Sequence, residues 1–391
     1  MSEPVFVEHW PNRLVMGIGA LDRLPDIVAA LGGKRALVLC GRTVAGSPLL
    51  PRATSALGSA CAGVFDKVTS HTPRKLLDSS VEMARSLKAD VLVSIGGGSA
   101  IDAGKGTALL HATGAALDPY AIRYSPGGEM QRRPMNVTTI PHVAIPTTTG
   151  SASEVLPTAG IRDPERREKM LFWDAALVPA AVILDPQMTV ETGPKLTATS
   201  GMTAVARCIE ALYSRHRNPL SEGLALHALR LLHAHLPRTV EAPGDLEARL
   251  QCLAASAMSG IASINAMASI VHALGHVVGG RYALQHGVSH TILLAPAMRR
   301  LLPVMGDRQR LLVDTLGGGA AGATDDDGAA ACAALGRFIR RLPLQQRLRE
   351  IGMPAEELPA IAEQVTHDYM MANLPHPMSV ADIEALLREA W

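Results

Sequence analysis

Asp90-Val-Leu-Val-Ser-Ile-Gly-Gly-Gly-Ser-Ala-Ile-Asp-Ala-Gly-Lys105 is the stretch on which the fold turns. An apolar, β-branched run ends at three glycines, and helix-like sequence begins at once, which reads as the strand, tight turn and helix of a βαβ unit. At such a helix start the backbone N–H groups lack partners and the dipole is positive. An anion is stabilised there, and glycines let a pyrophosphate approach the backbone. The segment matches neither the Gly-x-Gly-x-x-Gly fingerprint nor the phosphate-loop order ending in Gly-Lys-Ser/Thr. On spacing alone, phosphate binding and a plain strand-to-helix turn both stay open.

Further strand candidates surround it: residues 35–40 (RALVLC), before a loop over 41–47 and more helix-like sequence, then 142–146 (HVAIP) and 181–184 (AVIL). A second polar segment, Pro146-Thr-Thr-Thr-Gly-Ser-Ala-Ser-Glu154, also follows a strand, and its hydroxyls can bind a nucleotide or cap a helix. Polar loops at the carboxyl ends of neighbouring parallel strands are where open α/β sheets place ligands, and two of them favour a dinucleotide. After about residue 190 the pattern becomes long, Ala- and Leu-rich helical periodicity. The expected architecture is an α/β dinucleotide-binding domain with a mostly parallel sheet over 1–190 and an all-α substrate domain over 191–391, with a flexible loop at 317–328 (GGGAAGATDDDG).

The 391 residues suit two or three domains at roughly 150 residues each. Lys plus Arg 37 against Asp plus Glu 36 argues against nucleic acid or an anionic membrane held by bulk charge, and 3% aromatic residues leave few rings for stacking bases. Residues 251–280 lack Asp, Glu, Lys and Arg and are long enough to cross a bilayer. Their Ala, Ser, Gly, Met, His and central Asn265 read instead as close-packed helices inside a protein, so no membrane partner is expected. Five scattered cysteines without a Cys-x-x-Cys pair fit a reducing cytoplasm, and residues 1–13 carry no apolar leader-like run.

These segments, with others downstream, resemble the iron-containing (group III) alcohol dehydrogenase superfamily, whose relatives include maleylacetate reductases and dehydroquinate-synthase-like enzymes. The resemblance runs from Phe6 and Gly17-Ile-Gly-Ala-Leu21 through 96–105, 146–154, Ile183-Leu-Asp-Pro186 and Thr199-Ser-Gly-Met202 to Asn373-Leu-Pro-His-Pro377. It implies an active-site cleft between the two domains, bound NAD or NADP, a small-molecule substrate and a homodimer. By motif match, Gly97, Gly98, Ser99 and Asp102 lie at the cofactor pyrophosphate and its helix, and Thr147, Thr148 and Ser151 face the phosphates or the nicotinamide side. Ala152 stands where the family has glycine. Where many members carry an Asp for the adenine ribose, this chain has Gly41 followed by Arg42. Losing that carboxylate removes repulsion of a 2′-phosphate and a guanidinium can bind one, so NADPH is expected to serve at least as well as NADH. The alternative is an Arg42 that points to solvent.

Metal-using members hold iron or zinc with an Asp and a His four residues apart, then two later histidines. The later pair matches His272 and His286, but the first pair is replaced by Thr203 and Arg207. A guanidinium has no lone pair to give and stays protonated. At about 4 Å and an effective dielectric of about 20, two unit positive charges repel by roughly 4 kcal/mol, near three decades in affinity. No catalytic metal is therefore expected, and the candidate substitutes Cys208 and His290 do not stand at the expected helical position.

Arg207 can instead stabilise a developing alkoxide or clamp a carboxylate, or make a structural ion pair with Glu210 or Glu154. His276, one helical turn from His272, matches a family histidine close to the nicotinamide and is a candidate proton donor. The expectation is a metal-independent NAD(P)H-dependent oxidoreductase, maleylacetate reductase-like, acting on a small anionic carbonyl substrate or its alcohol through Arg207, His272, His276 and His286. Three alternatives stand beside it: a metal-dependent alcohol dehydrogenase with substituted ligands, a redox-neutral elimination or cyclisation on the same fold, and an inactive binding subunit.

Overall fold

The structure, a computed structural model, describes residues 13–391 apart from 71, 115–116, 124–130, 164–167, 283 and 318–326. Those before Gly193 form one compact unit and Gly193–Trp391 the other.

The first unit is built on a six-stranded sheet. Its strands are β1 (Arg13–Met16), β2 (Ala36–Gly41), β3 (Cys61–Val68), β4 (Val91–Gly96), β5 (His142–Pro146) and β8 (Ala181–Leu184), in the order β1-β8-β5-β4-β2-β3 with every pair parallel. The intervening β6 (Thr158–Asp163) and β7 (Glu168–Trp173) form a separate antiparallel hairpin. Alternation along β2 sends Leu37 and Leu39 to one face, against Leu77, Val81 and Leu109, and Val38 and Cys40 to the other, against Leu24, Val28 and Leu49. Helices thus cover both faces, which is why the central strands read as unbroken apolar runs.

The chain passes from β2 outward to β3, then returns to the other side of β2 as β4. This reversal is a topological switch point, and the crevice beyond the carboxyl ends of β2 and β4 is the place such sheets bind ligands. Gly41 ends β2 there and Gly96 ends β4.

The second unit is helical around one continuous core. Its central helix, Pro194–Tyr213, is buried almost all round and is followed by Pro219–Glu241, Leu246–Ala266, Ile270–Tyr282 and His286–Met305. Among the described residues no single helix is long and apolar enough to cross a membrane. The charge-free stretch spans two helices bent by 108° at Met267–Ser269.

Three expectations need adjusting. Residues 42–45 form a single helical turn, not loop. No helix follows the Thr147–Glu154 segment, which runs on into β6, so its hydroxyls do not serve as helix caps there. Of the loop expected at 317–328, residues 318–326 lie outside the described residues, and Asp327 and Gly328 already belong to the helix Asp327–Arg340.

Candidate active site

The first unit carries the nucleotide machinery. The helix Gly98–Thr113 starts directly after β4, with Gly97 as an N-cap that offers no side chain to the free N–H groups. Gly96 has φ +152°, and a Cβ on it would fall 2.6 Å from that of Ala100, so only glycine makes this turn. A Cβ on Gly97 would come within 3.1 Å of Thr148 Oγ1, and one on Gly98 within 3.0 Å of Ser151 Cβ. The two polar loops therefore lie side by side, held by the β4–β5 pairing and by a Thr147 N–H donated to the Gly96 carbonyl at 3.0 Å. An uncapped helix start facing hydroxyls across a cradle with little room for a Cβ fits a pyrophosphate.

Asp102 lies on this helix, one turn past its start. Its carboxylate accepts the Ser153 hydroxyl at 2.5 Å and the Gly160 N–H at 3.1 Å, gripping the segment that leads to the hairpin. Lys105, fully buried, completes the grip with Nζ on the carbonyls of Ser153, Leu156 and Thr158 at 2.5, 2.7 and 2.7 Å. Burial pushes its pKa down to about 8, opposed by Asp102 and Glu154. Ser99 gives its carbonyl to the Thr72 hydroxyl at 2.9 Å. Ala152 is buried with φ +53°, a left-handed conformation suited to the glycine it replaces. Arg42 is exposed on the turn after Gly41, at the switch point.

The second unit gathers four histidines. His272 and His276 lie a turn apart on Ile270–Tyr282, and His286 and His290 a turn apart on His286–Met305. Ring centroids are 4.4 Å apart for His272–His290, 5.7 Å for His276–His286 and 5.8 Å for His286–His290. A Cβ on Gly287 would collide with the Thr199 carbonyl at 1.6 Å, so the His286 turn can sit this close to the central helix only with glycine next to it.

Glu210 positions His272. One carboxylate oxygen accepts the N–H groups of Ser269 at 3.1 Å and Val271 at 2.9 Å, where Ile270–Tyr282 begins, and the other bonds His272 Nδ1. Burial works to raise the Glu210 carboxyl, but His272 and these N–H donors outweigh it and hold it below the usual carboxylate range. His272 Nε2 is left buried with no hydrogen-bond partner among the described residues, and so are both ring nitrogens of His290. Burial first, then the fields of His272, His286, Arg207 and His276, holds His290 well below the usual histidine range. Arg207 stands on the central helix, three residues before Glu210.

The donor set does not suit a divalent ion. The described residues contain no group of three or more His, Cys, Asp or Glu arranged to hold a metal. Thr203 offers a neutral hydroxyl, Arg207 adds a fixed positive charge, and burial pushes the Cys208 thiol up to about 12. His290 does join His272, but no third His, Cys, Asp or Glu among the described residues completes a metal-holding set with them.

Comparison with known proteins places both units. The model for iron-containing alcohol dehydrogenase matches residues 11–186, and that for the C-terminal domain of the Fe-containing alcohol dehydrogenase family matches 197–391. The chain belongs to the iron-containing alcohol dehydrogenase family. It is 35% identical to maleylacetate reductase 2 of Cupriavidus pinatubonensis (strain JMP 134 / LMG 1197) over 74% of this chain and 72% of that one. It is 30% identical to long-chain-alcohol dehydrogenase 1 of Geobacillus thermodenitrificans (strain NG80-2) over 98% of this chain and 96% of that one. A crystal structure of 1,3-propanediol oxidoreductase superposes with a TM-score of 0.92 at 28% identity, covering 99% of this chain and 100% of the other. The protein is an NAD(P)-dependent oxidoreductase of this family.

Sequence reasoning passed over Asp368, whose Oδ2 bonds His276 Nδ1 at 2.8 Å, and Glu210's hold on His272. Asp368 stands in no motif. Glu210 was legible as a possible partner for Arg207 and as part of the Glu210-Ala-Leu-Tyr213 stretch shared with maleylacetate reductases, not as a partner of His272.

Proposed function

We propose that this family member works without a metal, transferring hydride between NADPH or NADH and the carbonyl carbon of a small substrate that bears a carboxylate or similar anion. The observation that carries the reading is Arg207, a permanent cation on the central helix at the position of the family's histidine ligand, three residues before the Glu210 that bonds His272. Its planar fork matches a carboxylate bidentately and its charge stabilises an alkoxide as it develops. The 35% identity with a maleylacetate reductase supports a keto-acid substrate.

A bound nicotinamide would supply or accept the hydride. The turn at 96–99 and the hydroxyls of Thr147, Thr148 and Ser151 would hold the phosphates, and Gly41 with Arg42 supports acceptance of a 2′-phosphate. His276 gives or takes the proton, and Glu210 fixes the orientation of His272.

The test is elemental analysis together with Arg207→Ala. Chelator-treated enzyme should carry no stoichiometric iron or zinc and keep its turnover. Arg207→Ala should lower kcat/KM about 100-fold on a carboxylate-bearing keto acid, equal to about 2.7 kcal/mol, and less than about threefold on a neutral aldehyde. Stoichiometric metal whose removal abolishes turnover, or an Arg207→Ala enzyme with unchanged selectivity, overturns the reading.

A further inference from the structure

We propose that Asp368 is a positioning residue for the reaction, acting through His276; this rests on the reductase reading above. The helical unit holds two carboxylate–imidazole pairs a turn apart on one helix, and they differ in access. In the Glu210–His272 pair the side chains are 1% and 10% exposed, so that pair is sealed. In the Asp368–His276 pair they are 11% and 27% exposed, so His276 can exchange protons with water while its partner stays shielded.

Asp368 is fixed from both sides. Oδ2 lies 2.8 Å from His276 Nδ1, and Oδ1 accepts the Met370 N–H at 2.9 Å as the cap of the short turn Tyr369–Asn373. Asn373, closing that turn, donates to the Ala268 carbonyl at 2.8 Å, just before the helix that carries His276. Tyr369 stacks on the His276 ring at 5.8 Å with a 24° interplanar angle, and His286 meets it edge-on at 74°. The ring is thus hemmed in on its face and edge. An ionised carboxylate only accepts, so the Nδ1 proton stays on the Asp368 side and Nε2 is the nitrogen left to trade protons.

A reduced nicotinamide would supply the hydride that bonds to the carbonyl carbon, itself being left oxidised, while the C–O π pair moves to oxygen. That oxygen takes the Nε2 proton as the N–H bond of the imidazolium breaks, and the remaining imidazole keeps Nδ1–H on Asp368. A proton from water restores the imidazolium.

The experiment is Asp368→Asn, read by kinetics and by ¹⁵N NMR of histidine-labelled protein, with His276→Gln for assignment. Asn is as good a cap as Asp, so the Met370 bond survives while the group facing Nδ1 changes. Wild-type neutral His276 should carry its proton on Nδ1, and the variant should shift it toward Nε2. The kcat should fall about 100-fold or more with KM within about threefold, while Tm falls by no more than roughly 4–8 °C, the cost of one charge-assisted N–H bond and of an amide NH₂ facing Nδ1. A kcat within threefold of wild type, a loss carried by KM, a folded fraction at the assay temperature that falls in step with kcat, or a wild-type proton on Nε2 overturns the proposal. If the Asp368→Asn variant does not fold, the wild-type tautomer decides it. Wild-type protein that turns over no carbonyl, yet shows Nδ1–H on His276, sinks the reductase reading and the role with it while leaving the paired geometry standing.

Discussion

Replacing Glu210 by Gln changes one atom and removes one charge from a fully buried position, and its cost can be worked from the bonds that carboxylate makes. One oxygen receives the Ser269 and Val271 N–H groups at 3.1 and 2.9 Å; those bonds persist in the amide but lose their charge assistance, about 1 kcal/mol each. The other oxygen becomes an NH₂ group facing His272 Nδ1, so a donor confronts a donor unless the imidazole shifts its proton to Nε2, at a cost of about 1 kcal/mol or more. The expected destabilisation is about 3 kcal/mol at pH 7. For a unit of this size that lowers Tm by roughly 6–12 °C in calorimetry.

The pH dependence supplies the sharper check. The folded pKa of Glu210 lies below its ordinary value of 4.5, so its stabilisation is present above that pH and lost as pH falls through the folded pKa. The gap between wild type and variant should close on acidification, because protonated Glu and Gln are nearly alike. A Tm within about 2 °C of wild type at pH 7, or a gap that does not narrow below pH 4.5, would refute the assignment of Glu210 as an ionised clamp on the His272 helix.

Two further outcomes follow from single side chains. His142 is buried against Ser94 Oγ at 2.6 Å, and burial, with the charge of Lys105, lowers its pKa to about 3. The unfolded chain takes up a proton below about pH 6.5 and the folded chain does not, so stability should decline as pH falls from 6.5 toward 3; urea unfolding of His142→Gln should show a shallower decline over that window. Ala152→Gly should stabilise the first unit by about 0.5 kcal/mol, since relief of a left-handed alanine, about 1 kcal/mol, exceeds the extra unfolded-state entropy of glycine. A lowered urea midpoint would contradict that strain.

The α/β and all-α halves, the strands at 142–146 and 181–184 and the glycine turn after β4 were all readable because each is a local pattern. Apolar periodicity sets strand or helix within a few residues, and a glycine run at a strand end has few structural uses. The strands that escaped notice are β6 and β7, which pair only with each other as a hairpin apart from the main sheet, and two edge strands of that sheet. β1 is an edge strand whose side chains are mostly exposed, and β3, also at an edge, is half-buried over its first half and has two exposed residues in the second.

His272, His276, His286 and Arg207 were named by matching the family's motifs, but the sequence could not say who holds them. Glu210 and His272 are 62 residues apart, and His276 and Asp368 92 apart, and nothing in the local pattern of either member marks the other. His290 could be placed a turn after His286 by counting, yet its approach to His272 depends on how two helices pack. Composition and order of residues determined which elements form and which chemical groups are available, because those follow from short-range sterics and burial. Tertiary packing alone decided which carboxylate meets which imidazole, because a hydrogen bond needs its atoms within about 3 Å and only the folded chain brings distant segments that close.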